Sequence, residues 1–194
     1  MGRFFVRIKH MTREQALEIL KQNLSNQNLI KHCLAVEAVM VGLAIHFNEN
    51  KEEWGLAGLL HDIDYETTKD DPQQHSLVGA KMLEDLGLEK NICQAVKVHN
   101  EMHGIIPETL LDKSLFVTDP LTGLIVAATL VLPSKKISDL TPENVLNRFQ
   151  EKAFARGANR NIIKRSEELL NLKLEEFVGI ALKAMQGISS ELGL

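Results

Sequence analysis

An all-α fold follows from three observations on the sequence. Apolar residues recur at three- and four-residue spacing through most of the chain, capping residues precede these stretches, and no stretch alternates with the period of two that marks a strand. The pattern predicts a helical bundle of about eight or nine helices in essentially one domain over 12–194. Its core would span about 28–132 and its C-terminal helices about 138–192. With 194 residues, 44% of them apolar, such a domain can bury a substantial core.

Residues 1–11, MGRFFVRIKHM, mix bases with Phe4, Phe5, Val6 and Ile8 and read as a flexible extension. They lack the apolar run and small-residue cleavage site of a signal peptide. Thr12 and Gln15 form a capping box that opens the first helix, with Ala16, Leu17, Ile19, Leu20 and Leu24 following. The second helix runs from about Leu29 to Phe47, with a broad apolar surface and His32 in its first turns. The third starts near Asn50, has Glu52 and Glu53 at its positive end, and delivers His61 and Asp62 at its far end. The segment DYETTKDDPQQ is too rich in turn formers for a regular element.

His75 stands where a helix resumes in HSLVGAKMLEDLGL, which Gly87 ends. A further helix spans about Glu89 to His103, where His99 and His103 share one face at a spacing of four. A long apolar helix over Leu115 to Leu132 is interrupted at Pro120. Pro142 at a first helical position starts the last group, over roughly 142–156, 159–170 and 174–191.

Composition narrows the function classes. A net charge of -4 argues against nucleic acid or an anionic membrane as the main partner. No segment reads as the run of about 18 or more apolar residues of a membrane span. Cys33 and Cys93 sit in apolar helical patterns without a CxxC motif and read as reduced, buried thiols. The expected location is cytoplasmic. His10 and His46 read as surface or cap residues.

The chemistry concentrates around WGLAGLLHDID, residues 54–64. An apolar helix running into adjacent His61 and Asp62 needs a partner for both, because a buried carboxylate and imidazole are costly unless hydrogen-bonded or bound to a cation. Further candidate ligands follow the same order along the chain: His32, then His75, His99 and Asp119. Four imidazoles and two carboxylates, with no thiolate, suit Fe, Mn, Co, Ni or Zn. Two divalent ions against Asp62 and Asp119 would leave a positive field suited to phosphate. Asp62, with two oxygens, can bridge two ions about 3.5–4 Å apart.

These residues carry a resemblance to the HD-domain superfamily of metal-dependent phosphohydrolases, over roughly His32 to Asp119. His32 in IKHCLAVEAVM, the LLHDID doublet and Asp119 in FVTDPLTG resemble the family's one-metal set. His75 in HSLVGAKML and His99 in AVKVHNEMHG resemble the extra histidines of dinuclear members, among them cyclic-dinucleotide phosphodiesterases and the di-iron inositol oxygenase. The chain reads HDIDYE where HDIG-type phosphodiesterases read HDIGK, and it has no GYP signature.

The resemblance implies a metal-dependent hydrolase with two divalent transition-metal ions, acting on a small phosphorylated substrate such as a nucleotide. Asp64 and His103 are the candidates for proton transfer. Lys152, Arg156 and Arg160, at four-residue spacing, could form a cationic face toward phosphate, joined by Lys135 and Lys136. The same ligand pattern is compatible with a di-iron oxygenase or a non-catalytic metal- or nucleotide-binding regulator. Homo-oligomers are compatible with the sequence.

Overall fold

The computed structural model describes residues 11–194; the expected N-terminal extension, His10 included, lies outside them except for Met11, which packs against the core. The described residues are helical, without strands. The first half holds α1 (Arg13–Asn23), α2 (Gln27–Phe47), α3 (Lys51–Leu60), α4 (Tyr65–Thr68), α5 (Leu77–Leu86) and α6 (Lys90–Val98). The second half holds α7 (Leu110–Leu130), α8 (Pro142–Gln150), α9 (Arg160–Lys164), α10 (Ser166–Leu170), α11 (Leu174–Gly187) and α12 (Ser189–Leu192). Eight of the twelve are nine residues or longer, in line with the number expected; the rest are single turns.

Local chemistry sets the helix ends. Thr12 accepts from the Gln15 N–H while the Gln15 side chain accepts from the Thr12 N–H, the capping box that starts α1. Asn26 and Asn50 cap α2 and α3 through their side-chain oxygens. Asn48, at φ 58°, and Gly87, at φ 87°, end α2 and α5 in the left-handed conformation.

Three expectations need correction. The segment after Asp64 is not wholly irregular, since Tyr65–Thr68 forms one helical turn whose Thr67 and Thr68 hydroxyls donate to the Asp64 carbonyl. The long apolar helix starts earlier, at a Thr109–Asp112 capping box, and runs through Pro120 without a break. Pro120 has no N–H for the Phe116 carbonyl, a loss the surrounding packing tolerates. Finally, α8 ends at Gln150, so Lys152, Arg156 and Arg160 do not share a helical face.

The core is organised around α2 and α7, which pack on each other; α3 and α11 also lie against α2, and α6 against α7. Both 21-residue helices are long and apolar enough to cross a membrane by length and mean composition, although neither is an unbroken apolar run. In this fold they are core helices, each more than half buried, and they carry His32 and Asp119. Buried Glu37 on α2 receives two hydrogen bonds from the Arg13 guanidinium, which ties α1 to α2.

The approach of α3 to α2 depends on Gly58. A Cβ there would lie 2.9 Å from both the N and the Cα of Glu37, atoms that cannot rotate away. This contact sets the depth at which α3 delivers His61 beside His32. Gly58→Ala is therefore expected to lower unfolding stability by about 1–3 kcal/mol through overpacking, as read by denaturant unfolding.

Candidate metal centre

Five segments bring the six expected ligands together. His32 comes from the second turn of α2, His61 and Asp62 from the end of α3, and His75 from the turn before α5. His99 caps α6 and Asp119 lies in the middle of α7. Asp62 occupies the centre: its Oδ1 lies 3.2 Å from His75 Nε2 and 3.5 Å from the Nε2 atoms of His61 and His99. Its Oδ2 lies 3.7 Å from His32 Nε2. Asp119 Oδ1 lies 2.9 Å from His32 Nε2 and 3.8 Å from His61 Nε2. Three overlapping groups have ligand atoms within 4.8 Å of one another: His32, His61 and Asp62; His61, His99 and Asp119; and Asp62, His75 and His99.

The outer ring nitrogens explain why these atoms suit a cation. His61 Nδ1–H donates to the Gly58 carbonyl at 2.8 Å, and His99 Nδ1–H to the Val96 carbonyl at 2.6 Å. His75 Nδ1–H donates to Asp64 Oδ1 at 3.0 Å. The Thr122 hydroxyl donates to the Asp119 carbonyl, which leaves its oxygen to accept His32 Nδ1–H at 3.3 Å. With every Nδ1 proton committed outward, the four Nε2 lone pairs of the neutral rings face inward. His32 Nε2 and His61 Nε2 stand only 3.2 Å apart. Two facing lone pairs at that distance call for a proton or a metal ion between them. The donor set thus fits divalent metal, with anchored rings of the kind that raises ligand basicity.

Without an ion, protons perform that task. Burial would push the His61 imidazole down, but the Asp62 and Asp119 carboxylates raise it from 6.5 to about 9. Burial likewise opposes His75, which Asp62 and Asp64 raise to about 10. Against their own burial, the neighbouring imidazoles hold Asp62 and Asp119 well below the usual carboxylate range.

Asp64 is not among the residues lining the cleft beside His75 and His99. It is fully buried behind His75 and accepts hydrogen bonds from the N–H groups of Ser76 and Gly79, each 2.8 Å long. It therefore caps α5 from outside the helix and fixes the His75 ring at once. His103 also falls outside the cluster. Helix α6 ends at Val98 and the chain re-forms as a 3₁₀ turn over Glu101–His103, so the two histidines do not share a helix face. His103 Nε2–H donates to the His75 carbonyl at 2.7 Å, which holds that loop in place.

Phe116, Asp119, Pro120, Asn100, Glu101 and Asn159 line a polar cleft against His75 and His99. Asn159 donates to both carboxylate oxygens of Glu101 at 2.8 and 3.1 Å, joining the two lips. None of Lys135, Lys136, Lys152, Arg156 or Arg160 is among the residues lining this cleft. The Arg160 guanidinium instead donates to the carbonyls of Phe154, Ala155 and Ala158. Cys33 and Cys93 are free and buried, as expected.

Comparison with known proteins accords with this geometry. The HD domain profile matches residues 29–124, which contain all six candidate ligands. An uncharacterized protein of Methanocaldococcus jannaschii is 32% identical over 174 residues, covering 82% of this chain and 97% of that protein. Ribonuclease Y of Lawsonia intracellularis is 28% identical over 139 residues, 70% of this chain and 26% of the ribonuclease. Ribonuclease Y of Nitratidesulfovibrio vulgaris is 30% identical over 142 residues, 71% of this chain and 27% of the ribonuclease. The chain thus spans about a quarter of the length of those ribonucleases.

Two outcomes follow. In chelator-treated protein, the His61 and His75 imidazoles contribute stability that is complete below about pH 6.5 and is lost as pH rises through about 9–10. Asp62 and Asp119 contribute stability that is complete above the ordinary aspartate value of 3.8 and is lost as pH falls below it. Thermal melts should peak between these limits, and Mn²⁺ should raise Tm more at about pH 8.5 than at about pH 5.5, because ligation requires deprotonated nitrogens. Asp64→Ala should weaken metal binding about 10–100-fold in a competitive chelator titration.

Proposed function

The chain belongs to the HD domain family, and from that premise we propose that it is a metal-dependent phosphohydrolase acting on a phosphate ester of a nucleotide or another small phosphorylated metabolite. The observation that carries this reading is the set of four inward-facing imidazole nitrogens around Asp62, open to solvent mainly along one edge. His61, Asp62 and His99 are nearly closed off, whereas His32 is 25% and Asp119 32% exposed in their side chains. A substrate phosphate would therefore arrive at the His32–Asp119 edge.

His32, His61, Asp62 and Asp119 would hold one ion, and Asp62, His75 and His99 a second, with Asp62 shared. Bound there, divalent ions supply Lewis acidity toward phosphate oxygens and make water more acidic. The protein's own part is positioning. Thr122, Gly58, Asp64 and Val96 hold the four rings in one tautomer, and the Asn159–Glu101 pair presents an amide and a carboxylate to the polar cleft. In the reaction, a water oxygen bonds to phosphorus, the bond from phosphorus to the alcohol oxygen breaks, and the departing oxygen takes up a proton. The ribonuclease Y relatives support including phosphodiesters among the substrates tested, RNA with them.

The test is metal content of anaerobically purified protein together with turnover. About two ions per chain are expected in the wild type and about one in the His75→Ala/His99→Ala double variant. With Mn, Fe or Co loaded, the wild type should release alcohol from phosphate mono- or diesters, and the double variant should be at least about 100-fold slower. Oxygen consumption by the loaded protein without ester hydrolysis would instead support a di-iron oxygenase, and nucleotide binding without turnover a regulator.

A further inference from the structure

The polar cleft beside His75 and His99 is small, about 160 Å³, below the range of drug-sized ligand pockets. Room of that size suits an alcohol of a few carbons. An outer cavity of about 330 Å³ adjoins it, lined by residues 104–107, Asn161 and Arg165. Glu101, Phe116 and Ile162 line both spaces, so Glu101 stands where they meet.

Glu101 is held there from two sides. Its 3₁₀ turn is pinned by Asn100, whose amide donates to the carbonyls of Pro72 and His75 at 3.3 and 3.2 Å and accepts from the Met102 N–H at 3.1 Å. From across the cleft, Asn159 donates to both Glu101 oxygens, while its own side-chain oxygen caps α9 through the N–H groups of Asn161 and Ile162. Both amides are thus engaged as anchors. The carboxylate has acceptors to spare, since it offers about four lone-pair sites and Asn159 takes two. No lysine or arginine lines the cleft. Arg165, in the outer cavity, is already engaged by both Glu168 oxygens at 3.0 and 3.1 Å. A carboxylate fixed in place without a cation presents negative charge and free acceptors to whatever fills the cleft.

We propose that Glu101 is a specificity-determining residue, directing the site to phosphate monoesters of small alcohols that bear a hydroxyl or ammonium donor and turning away those with a second anionic group. The proposal rests on the phosphohydrolase reading above and narrows its substrate class. With the phosphate at Asp119, the alcohol would extend along the cleft toward Glu101, since both residues line it. A donor on the alcohol gains a hydrogen bond there, whereas a carboxylate or second phosphate meets a like charge, the repulsive half of specificity. Glu101 is exposed, so solvent and salt screen its field and the discrimination should be about tenfold.

The probes are glycerol phosphate and phosphoglycerate, which share a skeleton and differ by a hydroxymethyl against a carboxylate, with p-nitrophenyl phosphate as a donor-free reference. Their methylene phosphonate analogues report binding without turnover, all with Mn²⁺-loaded protein. The wild type should favour glycerol phosphate over phosphoglycerate by about tenfold in kcat/KM, and the analogues should show the same order in calorimetric binding. Glu101→Gln, which keeps an oxygen for Asn159, should bring both ratios close to one, chiefly through KM. Asn159→Ser, which keeps a helix cap but removes the amide donor, should leave most of the preference in place. Raising the salt concentration should weaken the preference in the wild type and leave the Glu101→Gln ratio unmoved.

An unchanged ratio in Glu101→Gln, or a wild type that favours phosphoglycerate, would overturn the assignment. So would an equal loss of preference in Asn159→Ser, which would trace the selection to the shape of the joined lips instead of to charge. Hydrolysis of p-nitrophenyl phosphate without discrimination between the other two would leave the phosphohydrolase reading standing and remove this one. Analogue binding that discriminates through Glu101, with no ester hydrolysed, would keep the specificity and remove the phosphohydrolase reading.

Discussion

The structure turns on one electrostatic constraint: four imidazole nitrogens and two carboxylates converge on a volume from which water is largely excluded. Such a cluster is stable only when its donors face protons or a cation. The outer nitrogens of all four rings are already committed to Gly58, Val96, Thr122 and Asp64, so the inner ones have no freedom to turn away. Of the helices that pack against α2 or α7, α3 and α6 bring further candidate ligands to this point, His61 and Asp62 from one and His99 from the other. The close crossing at Gly58 is the tightest expression of that requirement.

Much of this was legible in the sequence, for physical reasons that differ between residues. His61 and Asp62 stood out because a polar pair at the end of an apolar helix needs partners for both, and His32 and Asp119 through their order along the chain and the family pattern it resembles. Helix starts at Thr12, Asn50 and Pro142 were readable because capping is a local, side-chain-to-backbone interaction. Asp64 illustrates what was not. Its position next to the doublet suggested a pocket residue, but its partners are backbone groups at Ser76 and Gly79, and contacts across 12 and 15 residues leave no periodic trace.

His103 and the cationic series were misread for a related reason. Four-residue spacing places side chains together only while a helix continues. Helix α6 stops at Val98 and α8 at Gln150, so neither spacing has its usual meaning. Pro120 shows the converse. A residue that locally argues for a break is carried through because α7 is held by packing along its buried face. The polar cleft and the cavity adjoining it were beyond sequence reading altogether, since they are spaces between elements rather than properties of any one of them.

The double duty of Asp64 has a consequence for how this protein can change. One carboxylate supplies both the missing cap of α5 and the anchor of His75, while Ser76, at φ 71°, holds the turn between them. Ligand geometry and chain architecture are thus written in the same atoms. A lineage that lost His75 and His99 would still have to keep Asp64 to retain α5. A relic aspartate at this position, without its histidines, would then record that the two had once stood together.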